Sequence, residues 1–211
     1  MRADQLLVER GLAASRSQAV RLIAGGMRWR DAGSGGAWRS VAKNRDEVPE
    51  GAEVALDDAA EARYVSRGGL KLEGALAQAG IDARGALCLD VGQSTGGFTD
   101  CLLQKGAARV VGVDVGHGQL HPRLGNDPRV RAIEGVNARA LALADLGDDA
   151  QARFDLVVGD LSFISQTLVL PAVVPFLADD GHLLMLVKPQ FELQPGQIGR
   201  ASCRERVSRC V

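Results

Sequence analysis

The sequence predicts a doubly wound α/β sheet that follows a small α+β module. In the body of the chain, short apolar runs rich in Val and Leu alternate with helical segments, as in parallel sheets whose strands are buried on both faces. Before residue 62 the pattern changes to two short helices followed by short strands. A length of 211 residues accommodates one full domain and one small module.

The small module covers residues 1–61. Ser15 and Gln18 have the spacing of a capping box, in which each side chain satisfies a backbone donor of the other, so a helix should begin there. Glycines mark the ends of several elements. The predicted elements are a helix at residues 4–10, a second helix between Ser15 and Gly25, a strand at residues 27–30, a turn at residues 33–36 and a strand at residues 54–56.

A linker at residues 62–69 leads to the body of the chain, residues 70–200. Continuous apolar runs in this body predict buried parallel strands, and the stretches between them predict helices. Pro171 should lie near the start of the last helix or kink it. The predicted strands are residues 87–91, 109–114, 154–159 and 182–187, and the predicted helices are residues 70–78, 99–104 and 166–177.

Composition excludes several classes of protein. Apolar residues make up 46% of the chain and charged residues 24%, a balance typical of soluble globular proteins. No apolar run approaches the roughly 20 residues of a membrane helix, and the charged N-terminus does not resemble a signal peptide. The four cysteines have neither CxxC nor zinc-site spacing. We therefore expect a cytoplasmic protein with reduced thiols and no metal site.

Basic charge is concentrated at the front of the chain. Residues 1–45 contain nine Lys or Arg and three acids, whereas residues 46–62 contain seven acids and no base. A compact basic segment indicates contact with a polyanion at one end of the molecule. The alternative is an ordinary solvated surface on a pair of helices, which charge alone does not reject.

A glycine-rich turn at residues 92–97 joins a buried strand to a helix. Glycines let the backbone approach a ligand closely, and the helix that follows offers free N–H groups. Asp114 ends the next strand, where an acid can accept hydrogen bonds from both hydroxyls of a ribose. The pair indicates an adenosine-type cofactor, although a tight turn with a capping acid is the alternative. The candidate cofactor-binding residues are Asp90, Gly92, Ser94, Thr95, Gly96, Gly97, Asp114 and Asp160.

The glycine spacing argues against a dinucleotide site and against a phosphate-binding loop. It does not match the G-x-G-x-x-G fingerprint of dinucleotide sites, and the chain contains no G-x-x-x-x-G-K-[ST] phosphate loop.

Charged residues follow two later strands of the predicted sheet. Asp160 comes after the strand at residues 154–159, and Lys188 comes after the strand at residues 182–187. Polar groups at the carboxyl ends of adjacent strands face the same crevice, and Lys71 lies one turn into the helix after the linker. A lysine close to other cations can lose its proton near neutral pH and act as a base. Taken singly, each residue could be an ordinary surface charge.

With these motifs the chain resembles the TlyA-type ribosomal RNA 2′-O-methyltransferases, some of which are called hemolysins. That family joins an RNA-binding module, related to one in ribosomal protein S-four, to a class I methyltransferase domain with a Rossmann-like sheet. The motifs that carry the resemblance are LLVERGL at residues 6–12, VSRGGLKL at residues 65–72, DVG and STGGFT at residues 90–92 and 94–99, DLSFIS at residues 160–165 and VKPQFE at residues 187–192.

The resemblance implies that S-adenosyl-L-methionine is the methyl donor and that cytidine riboses of ribosomal RNA, within ribosomal subunits, are the acceptors. It also implies a Lys-Asp-Lys-Glu tetrad, of which Lys71, Asp160 and Lys188 match the first three members. By analogy Lys188 removes the hydroxyl proton, Asp160 orients that lysine and the donor, and Lys71 holds the acceptor. Tyr64 would lie in the interdomain linker and report RNA engagement. The candidate RNA-binding residues are Arg16, Arg21, Arg28, Arg30 and Arg67.

Two departures from the family pattern affect these expectations. Gln93 stands where a small residue is usual and could crowd the cofactor. The Glu of the family tetrad lies on a late strand, whereas only 23 residues follow Lys188 here. Residues 201–211 form an atypical tail rich in Arg, Ser and Cys, which indicates a truncated or frame-shifted end. We therefore expect an incomplete methyltransferase domain, with residues 182–187 at an uncovered sheet edge and neither Glu192 nor Glu205 replacing the missing Glu.

Two other functions compete with the enzyme. An RNA-binding or ribosome-associated protein without catalysis would use the same basic module, and the missing Glu favours it. A pore-forming hemolysin is disfavoured because the sequence contains no long apolar or strongly amphipathic helix. The sequence identifies neither the modified nucleotide nor the oligomeric state.

Overall fold

The computed structural model describes residues 1–13, 15–33, 35–57, 63–147 and 153–193, together with the backbone of residues 206–210. The chain divides into two compact units, Met1–Leu70 and Lys71–Val211. Within the described ranges no helix combines the length and apolar character that crossing a bilayer requires.

The first unit contains two helices and a three-stranded antiparallel sheet with the strand order β2-β1-β3. Its core is formed by apolar side chains of both helices together with Met27 of the central strand and Val48 of the connection to β3. The elements are α1 (Ala3–Glu9), α2 (Arg16–Ala24), β1 (Met27–Arg30), β2 (Arg39–Val41) and β3 (Glu53–Leu56).

The start of α2 follows the capping prediction in part. The Ser15 hydroxyl accepts a hydrogen bond from the Gln18 backbone N–H at 3.3 Å. The Gln18 side chain extends further and donates to the Tyr64 carbonyl at 3.1 Å. The Tyr64 side chain is buried, and a Cβ at Gly69 would overlap its ring. The Tyr64 side chain is therefore shielded from solvent, and its role as a reporter of RNA engagement stays a prediction.

The second unit is built on a six-stranded sheet with the order β6-β5-β4-β7-β8-β9. Strands β4 to β8 pair in parallel, and β9 is antiparallel to β8. The strands are β4 (Leu87–Val91), β5 (Arg109–Asp114), β6 (Val130–Glu134), β7 (Phe154–Gly159), β8 (Leu177–Val187) and β9 (Arg206–Cys210). The helices are α3 (Gly68–Ala79), α4 (Gly97–Gln104), α5 (Pro122–Gly125), α6 (Leu143–Leu146), α7 (Gln166–Val173) and α8 (Pro189–Glu192).

The predicted fold class is confirmed. The central strands are almost entirely buried because their Val and Leu side chains pack on both faces of the sheet. The chain runs outward from β4 to β5 and β6 and then returns to β7 on the other side of β4. This reversal places a crevice beyond the carboxyl ends of β4 and β7, which is where open α/β sheets bind ligands.

The tail differs from its expected structure. Backbone groups of β9 pair with β8, in a register that joins Arg206 to Val187 and Cys210 to Leu183. The expectation that residues 182–187 form an uncovered edge is therefore wrong. A strand edge presents a row of N–H and C=O groups that any extended segment can satisfy, and residues 206–210 do so here.

Candidate cofactor and catalytic site

The glycine-rich turn between β4 and α4 lies at the carboxyl end of the central strand β4. Gly92 and Gly96 have φ values of 84° and 91°, in the region that favours glycine. A Cβ at Gly92 would lie 3.0 Å from the Leu161 side chain and 3.3 Å from the Asp160 carbonyl oxygen. The turn between β4 and α4 and the segment after β7 are thus in close contact at one end of the sheet.

The Asp114 carboxylate holds two backbone segments beside this turn. One oxygen accepts from the Ser94 N–H at 2.7 Å, and the other accepts from the Gly116 N–H at 2.7 Å. These bonds fix the orientation of the carboxylate at the end of β5. Each carboxylate oxygen can accept more than one hydrogen bond, so Asp114 keeps the capacity to bind two ligand hydroxyls.

Asp90 is buried at the end of β4 and belongs to a short chain of hydrogen bonds. Its Oδ2 accepts from the Thr99 hydroxyl at 2.7 Å, and the Gln93 amide donates to the same hydroxyl oxygen at 2.9 Å. Among the described residues, the other oxygen, Oδ1, has no partner. Burial raises the pKa of Asp90 from 3.8 to about 7, because the ionised form loses its water.

Gln93 is directed into the interior of the unit. It is only 5% exposed, and its side chain lies against Gly112 of β5, where a Cβ would overlap it. Gly112 on the neighbouring strand thus leaves the room that the Gln93 side chain occupies. Its amide bond to Thr99 keeps Gln93 in this position, so the structure gives no sign that Gln93 crowds the turn.

The buried Asp90 carboxyl should make stability depend on pH. The unfolded chain releases this proton near pH 3.8, whereas the folded chain keeps it to about pH 7. The folded state therefore binds more protons within that window, and its stability falls as the pH rises through it. Asp90→Asn should remove this contribution to the pH dependence and gain about 1.4 kcal/mol in unfolding free energy over the parent per pH unit across the window.

Urea denaturation at pH 5 and pH 8 measures this difference. Asp180→Asn, which changes an exposed carboxyl on β8, is the control and should follow the parent protein. If Asp90→Asn shows the same loss of unfolding free energy between the two pH values as the parent, Asp90 is not the group responsible.

The two lysines and the aspartate that the sequence singled out lie together. Lys188 Nζ lies 2.6 Å from Asp160 Oδ1, and Lys71 Nζ lies 3.8 Å from Asp160 Oδ2. Lys188 also donates to the Ser162 hydroxyl at 2.8 Å and is 8% exposed. Ser162 was not among the predicted residues, although it lies two positions after Asp160. One carboxylate thus faces two ammonium groups at the carboxyl ends of β7 and β8.

An aromatic pair lies close in sequence to these charges. Phe163 is 90% exposed and has a φ of 64°, a strained backbone conformation for a bulky residue. Its ring centroid lies 5.3 Å from that of Phe191, which follows Lys188 by three residues. A strained, exposed aromatic residue three positions after Asp160 indicates a surface for an apolar or aromatic ligand group.

Glu192 is engaged at the start of α7. Its carboxylate accepts from the Ser165 hydroxyl at 2.6 Å and from the Gln166 N–H at 2.8 Å, and it thereby caps that helix. This structural role accords with leaving Glu192 out of the catalytic set. Glu205 lies outside the described residues.

The predicted RNA-binding arginines belong to the first unit, and four of them have internal partners. Arg16 bonds the buried Asp4 at 3.1 Å, and Arg21 donates to the Ser17 carbonyl at 3.1 Å. Arg67 is exposed. The other two arginines pair with residues of the acidic segment that follows residue 45. Arg28 pairs with Asp57, and Arg30 pairs with Glu53 at 2.5 Å.

A family of known proteins and several of its members are similar to this chain in sequence. A family model described as FtsJ-like methyltransferase matches residues 64–206. The 16S/23S rRNA (cytidine-2′-O)-methyltransferase TlyA of Mycobacterium tuberculosis is 46% identical over 198 residues, which cover 94% of this chain and 70% of that protein. Hemolysin A of Brachyspira hyodysenteriae is 37% identical over 95% of this chain and 79% of its own length.

A solved structure has the same fold along nearly the whole chain. A protein from Streptococcus thermophilus that is named as a hemolysin superposes with a TM-score of 0.66 at 40% identity. The match covers 97% of this chain and 72% of that protein.

Proposed function

This chain belongs to the TlyA-type proteins among the FtsJ-like methyltransferases, and we propose that it methylates the ribose 2′-hydroxyl of cytidine in ribosomal RNA. The observation that carries the proposal is the Lys71–Asp160–Lys188 cluster, which lies at the same end of the sheet as the glycine-rich turn. The proposed partners are ribosomal subunits, and the proposed place of action is the cytoplasm.

The residues around the turn fit S-adenosyl-L-methionine. Asp114 offers two oriented carboxylate oxygens to a ribose, and Asp90 Oδ1 is a buried acceptor without a partner among the described residues. Gly92, Ser94, Thr95, Gly96 and Gly97 form the backbone that would follow the ligand. Bound there, the cofactor would supply an electrophilic methyl group on a sulfonium centre.

The lysines and Asp160 provide the remaining chemistry. The acceptor hydroxyl must lose its proton when it is methylated, and the Lys188 side chain, in its neutral amine form, would take that proton. Asp160 stabilises the resulting ammonium at 2.6 Å and holds it in the correct orientation. Lys71, on the other side of the same carboxylate, positions the acceptor through its charge.

The first unit would bring the RNA to this site. Its arginines offer phosphate contacts, which supply most of the affinity of a protein for RNA without depending on base sequence. Arg28 would exchange its bond to Asp57 for a bond to phosphate. The acidic segment then acts as an internal competitor that weakens non-specific binding.

Asp114→Ala tests the cofactor assignment. We expect the affinity for S-adenosyl-L-methionine to fall by about 1.5–3 kcal/mol for each charged hydrogen bond lost. Because Asp114 also holds Ser94 and Gly116, the comparison needs a second ligand, the 2′,3′-dideoxy form of the cofactor.

Isothermal titration calorimetry then gives a double-mutant cycle. Removing the ribose hydroxyls should weaken binding to the parent chain strongly and to Asp114→Ala hardly at all. Equal losses in both proteins would show that Asp114 does not contact the ribose. Asp82→Ala, which changes an exposed carboxyl paired with Arg84, should bind both ligands as the parent does.

A further inference from the structure

Both tryptophans of the chain lie on the small sheet of the first unit, and each is stacked with an arginine. Trp29 belongs to β1, and the Arg39 guanidinium carbon lies 4.8 Å from its ring centroid. Trp38 comes directly before β2, and the Arg30 guanidinium carbon lies 4.6 Å from its ring centroid. Both contacts have the geometry of cation–π interactions.

The two tryptophans differ in their packing. Trp29 packs against the core of the first unit, and this contact explains why a large aromatic residue lies there. Trp38 is 37% exposed and therefore leaves a large aromatic surface in water. Arg30 is held in place by Glu53, whose carboxylate accepts from Arg30 Nε at 2.6 Å. The Trp38 ring is thus set against a fixed guanidinium group, and ordering it for a ligand costs little entropy.

The charge around Trp38 favours an anionic ligand. Residues 27–45 contain five basic residues and the acid Asp31, and two of these bases, Arg28 and Arg30, are paired with Asp57 and Glu53. The Arg39 side chain is 62% exposed and lies 3.6 Å from Asp31, a distance at which an exposed ion pair contributes little stability. Arg39 can therefore turn to a phosphate at the cost of its contact with the Trp29 ring. An aromatic face beside an arginine that can turn to phosphate matches a nucleotide, since it offers stacking to the base and charge to the phosphate.

We propose that Trp38, with Arg30 and Arg39, binds one unpaired nucleotide of the RNA, the base stacking on the Trp38 ring and the phosphate contacting Arg39. The nucleotide is unpaired because the faces of bases within a duplex are covered by their neighbours, whereas bases in loops and single strands are free to stack on aromatic side chains. The inference rests on the proposed function for the identity of RNA as the substrate. It adds the kind of RNA element that the first unit reads.

Intrinsic fluorescence tests the contact directly, because Trp29→Phe leaves Trp38 as the one tryptophan of the full-length chain. The probes are a short single-stranded oligocytidylate, the same ribose-phosphate backbone without bases, and a blunt RNA duplex of equal charge. We expect the single strand to quench Trp38 and the other two probes to leave its emission nearly unchanged. Equal quenching by the abasic strand or by the duplex would overturn the proposal.

Affinity measurements on variants provide the second test. Trp38→Leu should weaken binding of the single strand roughly tenfold or more, the usual effect of losing one base stack, while Trp38→Phe should keep most of the affinity. Leu12→Ala, which removes an apolar side chain of the same unit with 39% exposure, is the matched control and should bind as the parent does. Unchanged affinity in Trp38→Leu, or a Trp38→Phe protein as weak as Trp38→Leu, would overturn the proposal.

These measurements contain no methyl donor, so they fail or succeed independently of methyl transfer. A chain that methylates RNA but binds the single strand equally well with Leu at position 38 would retain the proposed function and lose this inference.

Discussion

We expect replacement of Lys188 by Met to lower the rate of methyl transfer by about 10²–10⁴-fold, the usual contribution of a positioned acid–base group. Lys188 is almost buried, and its ammonium contacts both Asp160 and Ser162. Met keeps much of the length of the stem but can neither accept the hydroxyl proton nor pair with Asp160. The rate should be measured in single turnover, with enzyme in excess over RNA, so that product release does not mask the chemical step.

The control for Lys188 is Lys105→Met. Lys105 pairs with Glu73 at 2.9 Å in the same unit, but its side chain is 42% exposed. This variant should keep the parent rate, and both variants should bind S-adenosyl-L-methionine with nearly the parent affinity. A Lys188→Met protein that transfers methyl groups at the parent rate would remove Lys188 from the mechanism.

Changing four of the predicted RNA-binding arginines of the first unit to Gln should lower the slope of log K against log salt for RNA binding by about three. Each phosphate contact contributes about 0.7–0.9 to that slope. The changes are Arg16→Gln, Arg21→Gln, Arg28→Gln and Arg30→Gln. Fluorescence anisotropy with an rRNA fragment over a range of salt concentrations measures the slope.

The matched control changes exposed arginines of the second unit. Arg84 and Arg129 each pair with an aspartate two residues earlier, and Arg84→Gln with Arg129→Gln should leave the slope unchanged. Asp57→Asn provides a test of opposite sign, because it frees Arg28 and should strengthen RNA binding. If the four-arginine variant keeps the parent slope, the first unit does not supply the phosphate contacts.

Four strands of the methyltransferase sheet, β4, β5, β7 and β8, could be predicted because each contains a continuous apolar run. The same reasoning placed Asp160 and Lys188 in one crevice, since carboxyl ends of neighbouring parallel strands must meet. β6 was not predicted because it lies at the sheet edge, where Val130–Glu134 mixes apolar, basic and acidic residues and is only partly buried. β9 was not predicted because Arg206–Cys210 mixes basic, polar and apolar residues and contains no apolar run.

Contacts between residues that are far apart in the sequence could not be predicted. The acidic segment after residue 45 looked separate from the basic segment before it, yet Glu53 and Asp57 pair with arginines of β1. The Gln93–Thr99–Asp90 chain likewise depends on Gly112, a residue of another strand that leaves room for the Gln93 side chain. Local patterns locate charged and glycine residues along the chain but do not pair them across it.

The most direct test of the proposed function is transfer of a labelled methyl group to ribosomal subunits. The purified chain is incubated with tritiated S-adenosyl-L-methionine and subunits from cells that lack the modification, and the RNA is then hydrolysed with alkali. A methyl group on the 2′-oxygen blocks cleavage of the adjacent phosphodiester, because that oxygen is the internal nucleophile in alkaline hydrolysis. We predict that the label appears in alkali-resistant dinucleotides whose 5′ residue is cytidine. Label in alkali-sensitive mononucleotides or in ribosomal proteins, or no label above that of the Lys188→Met protein, would contradict the assignment as a ribose 2′-O-methyltransferase.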